Sequence, residues 1–137
     1  MADLSITAAD VEPGANATLN DGVAGETITR GKAVYKASSG KLMIADADAE
    51  ASAKAVGIAV QDAGDNQPIQ YQSAGCLDIG AAVLVGEIYV VSDAAGICVI
   101  DDTVGNAPQA GQWLCVLGVP SETDELEIHI DFADRAI

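Results

Sequence analysis

Two stretches of this chain repeat one another, and that repetition limits the fold more than any other feature. GAAVLVGEIYVVSDAAGICVI, from Gly80 to Ile100, follows the order of GETITRGKAVYKASSGKLMI, from Gly25 to Ile44. In both, a glycine and five residues lead to a second glycine, an apolar segment holding a tyrosine, a small polar turn and a second apolar segment. The spacing from Gly25 to Gly31 equals that from Gly80 to Gly86, Tyr35 is matched by Tyr89 with a one-residue shift, and Gly40 is matched by Gly96. Short apolar runs punctuated by Gly and Ser turns are the pattern of hairpins, not of helices.

The likeness continues beyond the hairpins. Val56-Gly57-Ile58 is echoed by Leu117-Gly118-Val119. Ile69 and Tyr71, alternating with glutamines, are echoed by Leu126, Ile128, Ile130 and Phe132, alternating with Glu127, His129 and Asp131. Such alternation predicts strands with one buried and one wet face. Between the strands, Asp46 to Lys54 has no β-branched residue, with acids early and a lysine late, which predicts a short helical connector. A looser loop, Asp101 to Gly111, sits in the second half. The whole predicts an all-β fold, a compact β-barrel or β-sandwich, built from two pseudo-repeated modules over 25–79 and 80–132 that close each other's edges. At 137 residues the chain has the length of one domain, so 25–137 reads as a single β domain.

Residues 1–24 stand apart as an alanine-rich, polar segment with Pro13-Gly14 as a breaker and Asn20-Asp21-Gly22 as a turn signal. Two readings fit them: a disordered leader, or an arm that orders when it docks on a neighbour. An arm would use Leu4, Ile6 and Val11 as its partner-binding side chains.

Twenty-one acidic residues against six basic ones give a net charge of −15, which argues against nucleic acid and anionic membranes as partners. Only 4% of residues are aromatic, so the core must be built from small aliphatic side chains that bury little area each. That favours oligomerisation as a source of further stability. Cys76, Cys98 and Cys115 are odd in number, lack a Cys-x-x-Cys spacing and sit in or beside apolar runs, as expected for reduced thiols and folding in a cytoplasm. The opening MADLSITAADVEP has neither the basic start nor the apolar run of a signal peptide, and the most apolar window, 81–100, is interrupted by Glu87 and Asp93.

Catalytic constellations are hard to assemble from these residues. His129, the single histidine, lies on the polar side of an alternating strand, and there is no Gly-x-Ser-x-Gly elbow. No glycine-rich phosphate loop occurs. Asp46, Asp48 and Glu50, and again Asp124, Glu125, Glu127 and Asp131, supply oxygens of the kind Ca2+ takes. The first run lacks the glycine and terminal glutamate of a helix-loop-helix calcium site, and the second reads as a solvated face. The expectation is a non-enzyme with no cofactor and no metal.

Ala24-Gly25-Glu26-Thr27-Ile28, Gly31-Lys32-Ala33-Val34-Tyr35, Gly40-Lys41-Leu42, Ala45-Asp46-Ala47-Asp48, Ala55-Val56-Gly57-Ile58-Ala59 and Val116-Leu117-Gly118-Val119 together resemble the capsid decoration, or cement, proteins of tailed bacteriophages. The resemblance covers about Gly25 to Ile130 and is weakest before Gly25. It implies a β-rich protein on the outside of the virion, made in the host cytoplasm, bound to the major capsid protein and commonly trimeric, which strengthens the shell. Another phage structural module, such as a head-fibre base or a tail-associated adaptor, is the alternative.

Overall fold

The structure, a computed structural model, describes residues 6–80, 83, 86–92, 97–99, 113–122 and 124–136. Leu4, Gly96 and the loop 101–111 lie outside them. After a 3-10 turn at Ala8–Asp10 come the strands β1 (Glu12–Pro13), β2 (Thr18–Val23), β3 (Ala33–Lys36) and β4 (Leu42–Ile44). A single helical turn, α1 (Glu50–Ala53), leads to β5 (Ala55–Ala59) and β6 (Pro68–Asp78). β7 (Tyr89–Val91), β8 (Ile97–Val99), β9 (Trp113–Glu122) and β10 (Glu125–Ala136) complete one antiparallel, curled sheet. The fold is all-β, as the alternating pattern requires.

The sheet order is β4-β3-β5-β6-β10-β9-β7-β8, with β1 and β2 also on β6. That order contains the repeat. β4-β3-β5-β6 and β8-β7-β9-β10 are the same arrangement, and the registers agree. Val34 lies opposite Gly57 and Tyr35 opposite Ala55, skipping Val56. Tyr89 lies opposite Gly118 and Val90 opposite Val116, skipping Leu117. The same bulge therefore recurs at the same place. Gly25 and Gly80, Gly31 and Gly86, Val34 and Tyr89, and Ile44 and Val99 are each 55 residues apart. Tyr89 thus corresponds to Val34, and the tyrosine match read with a one-residue shift pairs residues on opposite faces.

Specific residues impose this geometry. Gly31 and Gly86 precede β3 and β7 at φ +92° and +96°, a left-handed turn that a side chain would strain. Gly57 and Gly118 meet a different requirement, one of space. A Cβ on Gly57 would lie 2.5 Å from the Gln72 carbonyl oxygen, and one on Gly118 would lie 2.1 Å from that of Glu127. Gln72 and Glu127 are themselves corresponding residues, so each module holds its last two strands together through the same close approach.

β6 belongs to both modules. Its first half, facing β5, closes the first module, and there β2 lies on its other edge from Leu19↔Gln72 to Val23↔Pro68. Its second half, Gly75–Asp78, opens the second module by pairing with β10 from Ile128↔Gly75 to Glu125↔Asp78. β2 is therefore to the first module what the end of β6 is to the second. The modules are joined by a shared strand, which differs from the expected mutual closure of edges.

The packing follows the same logic. Val34, Leu42 and Ile69 form a smaller core on one face of the first module, with Val56 and Tyr71 packed against it. Tyr89, Ile97, Leu117 and Leu126, the counterparts of Val34, Leu42, Val56 and Tyr71, lie in the larger core, whereas exposed Asp124 stands where Ile69 does. Ala33, Ala55 and Ile58, from the opposite face of the first module, complete that larger core, so one module packs on the other. Each fully buried Val, Leu or Ile there contributes about 1.5–3 kcal/mol by leaving water.

Two sequence expectations are corrected at the amino terminus. Asn20-Asp21-Gly22 is not a turn but the middle of β2. A Cβ on Gly22 would meet Leu42 Cδ1 at 2.6 Å, so the Leu42 side chain would have to shift to admit one. Residues 6–24 are also no detached arm, since Thr7 N donates to Gly80 O, Gly14 N to Cys76 O, and Cys76 N to Ala15 O. The backbone of β6 anchors them.

Candidate functional site

Of the three apolar residues assigned to a docking arm, Val11 is buried in the larger core together with Leu77, Ile79 and Leu126. Ile6 packs against the same core, and Leu4 lies outside the described residues. Gly31 and Gly80 make room for this segment: a Cβ on Gly31 would meet Ile6 Cγ2 at 2.8 Å, and one on Gly80 would meet Thr7 O at 2.4 Å. Val11 is thus buried by the chain's own fold, and Ile6 is partly buried against the same core.

The segment brings carboxylates together at one end of the molecule. Asp10, Glu12, Asp78, Gly80 and Asp124 line an open hollow of about 300 Å³. Beside it, carboxylate oxygens of Glu122, Asp124 and Glu125 lie within 4.8 Å of one another. Carboxylates are the oxygens Ca2+ takes, and exposed acids also gather easily without an ion on so acidic a chain. The other acidic run serves local structure. Asp46 Oδ1 accepts from Asp48 N at 2.9 Å, and Ser52 Oγ donates to Asp46 O at 3.1 Å, fixing the turn into α1.

The remaining titratable groups are placed as follows. His129 is exposed, with Nε2 3.3 Å from Glu127 Oε1 on the same face of β10. Cys115 is buried, and that burial pushes its thiol pKa up, against a bond from the Ala55 backbone and with help from Asp131. Asp62 accepts from Arg30 N at 2.9 Å and from Arg30 Nη2 at 3.4 Å. The backbone bond, chiefly, holds its carboxyl below the usual range despite slight desolvation, and the guanidinium adds to the effect.

What the sequence reading passed over is the outer edge of β2. Leu19 and Val23 are each 41% exposed, and Asp21 between them is exposed as well. The signal was present as alternation, Leu19-Asp21-Val23, but Asn20-Asp21-Gly22 masked it by resembling a turn. Trp113 stacks on Phe132 at 6.0 Å between ring centroids, and Lys54 Nζ lies 5.2 Å above the Phe132 ring. That group ties α1 to β10. No protein-family model matches the chain, and no curated protein matches it either.

Proposed function

We propose that this chain is a non-enzymatic structural protein of a tailed-phage virion, a decoration protein that binds the major capsid protein on the outside of the head. One observation carries the reading. The residues that resemble decoration proteins are those that build the duplicated module: Gly31 to Tyr35 enter β3, Gly40 to Leu42 close the β3–β4 hairpin, and Val56 to Ala59 and Val116 to Val119 are the bulged strands of the two halves. Two β modules joined through β6, in a strongly acidic chain, suit bridging neighbouring capsomers. Contacts of that kind add buried area that must be broken before the shell opens, and many copies make weak contacts effective. A trimer would extend the small-residue core across copies.

The test mixes purified protein with heads of the same phage produced without this gene, followed by electron microscopy. Density on the head exterior and greater resistance of the heads to heat are expected. Absence of binding, or density confined to tails, overturns the reading.

A further inference from the structure

The two modules differ in what covers the strand that opens them. In the second module that strand is the end of β6, and its outer edge is covered by the segment Thr7–Ala15. Cys76 exchanges both backbone bonds with Gly14 and Ala15, Asp78 pairs with Glu12, and Gly80 O accepts from Thr7 N. In the first module the strand is β2. Leu19 and Asp21 correspond to Cys76 and Asp78, because they oppose Gln72 and Gln70 as those oppose Glu127 and Glu125.

The direction of the β2 backbone groups follows from the register. Gln70 O accepts from Val60 N, so the main-chain groups of Gln70 point towards β5. Its antiparallel partner Asp21 therefore directs its N–H and C=O away from β6, and Leu19 and Val23, two residues to either side, do the same. Among the described residues β2 pairs along its length with β6, and β4 closes on its carboxy-terminal end through the parallel bridge Ala24↔Leu42, with Gly25 N donating to Leu42 O. Ahead of that closure the edge offers the outward amides of Leu19 and Asp21, with exposed Leu19 beside Asp21 and without the lysine or proline that protects edge strands.

We infer that the outer edge of β2 ahead of its closure by β4 is a docking site for an extended, lysine- or arginine-bearing segment of another protein, added as a further strand through Leu19 and Asp21. The molecule itself shows the mode, since an extended segment already covers the corresponding edge of β6. The chain's own amino-terminal segment is engaged there and is not free to serve β2. Charge selects the occupant. With Asp21 on the edge, the same edge of a second copy would set two carboxylates against each other, whereas a cationic strand is attracted. The inference stands whether or not the partner is a capsid protein.

The probes are two capped heptapeptides, one alternating valine and lysine and one alternating valine and glutamate, titrated into ¹⁵N-labelled full-length protein at low salt. The lysine peptide is expected to shift the amide signals of Leu19 and Asp21, to slow their hydrogen exchange, and to bind at least about tenfold more tightly than the glutamate peptide. Asp21→Pro removes an outward N–H while leaving the β6-facing groups of Asn20 and Gly22, and should weaken binding about tenfold. Should that variant fail to fold, Asp21→Lys serves instead, and its preference between the two peptides should reverse. Signals unmoved at millimolar lysine peptide, shifts confined to another surface, an Asp21→Lys protein that keeps the original preference, or a β2 edge filled by a second copy would each overturn the inference.

Discussion

Replacing Val11 by alanine separates an amino-terminal arm from an amino-terminal part of the core. Val11 is 1% exposed and packs in the larger core, in reach of Gly31 and Gly80. Removing two methyl groups forfeits about 1.6 kcal/mol of transfer free energy at ~0.8 kcal/mol each. The pocket cannot collapse freely, because Gly80 is bonded to Thr7 and Leu77 is held between β1 and β10. A cavity contribution therefore adds to the loss, for a total of about 2–3 kcal/mol. Urea unfolding followed by circular dichroism reads this as a midpoint lowered by about 1 M at unchanged slope. Leu19→Ala is the control, since Leu19 is 41% exposed and its truncation should move the midpoint little. A Val11→Ala loss under about 0.5 kcal/mol, equal to that of the control, would refute the placement of this segment in the core and restore a free arm.

Other consequences follow from corresponding positions and from single charged groups. Gly57→Ala and Gly118→Ala should each lower stability by about 3 kcal/mol, because the new methyl meets backbone oxygen in both modules; a thermal melt showing one of them neutral would break the equivalence. Asp62→Asn should cost at most about 1 kcal/mol at neutral pH, as for an exposed pair. The Asp62 carboxyl is held below its usual range, so its contribution is present above that range and vanishes as pH falls through the lowered value; a difference between variant and parent that persists in strong acid would contradict the assignment. In the native protein a thiol reagent should modify Cys76, which is half-buried, well before Cys115, whose thiol is buried and raised in pKa; equal rates by mass spectrometry would count against the packing of β9.

Strand content was legible because it depends on local pattern. Leu126 to Phe132 alternate and form β10, and Val34 and Leu42 fall on the facing strands of the predicted hairpin. The connector at 46–54 was legible in kind, although only Glu50–Ala53 complete a helical turn, the rest being held by Asp46 and Ser52. The candidate edge was not legible. Leu19 and Asp21 acquire meaning only when β6 takes one side of β2 and β4 closes only the far end of the other, and the β2–β6 pairing joins residues about fifty positions apart.

By itself the sequence determined an all-β chain with a module repeated at a separation of 55 residues, since turn glycines and alternating side chains are set by steric rules acting over a few residues. Tertiary structure decided which strands share an edge. It made β6 common to both modules, turned Val11 inward, and placed Tyr89 at the position of Val34, not of Tyr35. Backbone groups at a strand edge are chemically alike along the chain, so register and partner are chosen by which alignment buries the most apolar surface without a clash. Gly57 and Gly118 record that choice in both halves.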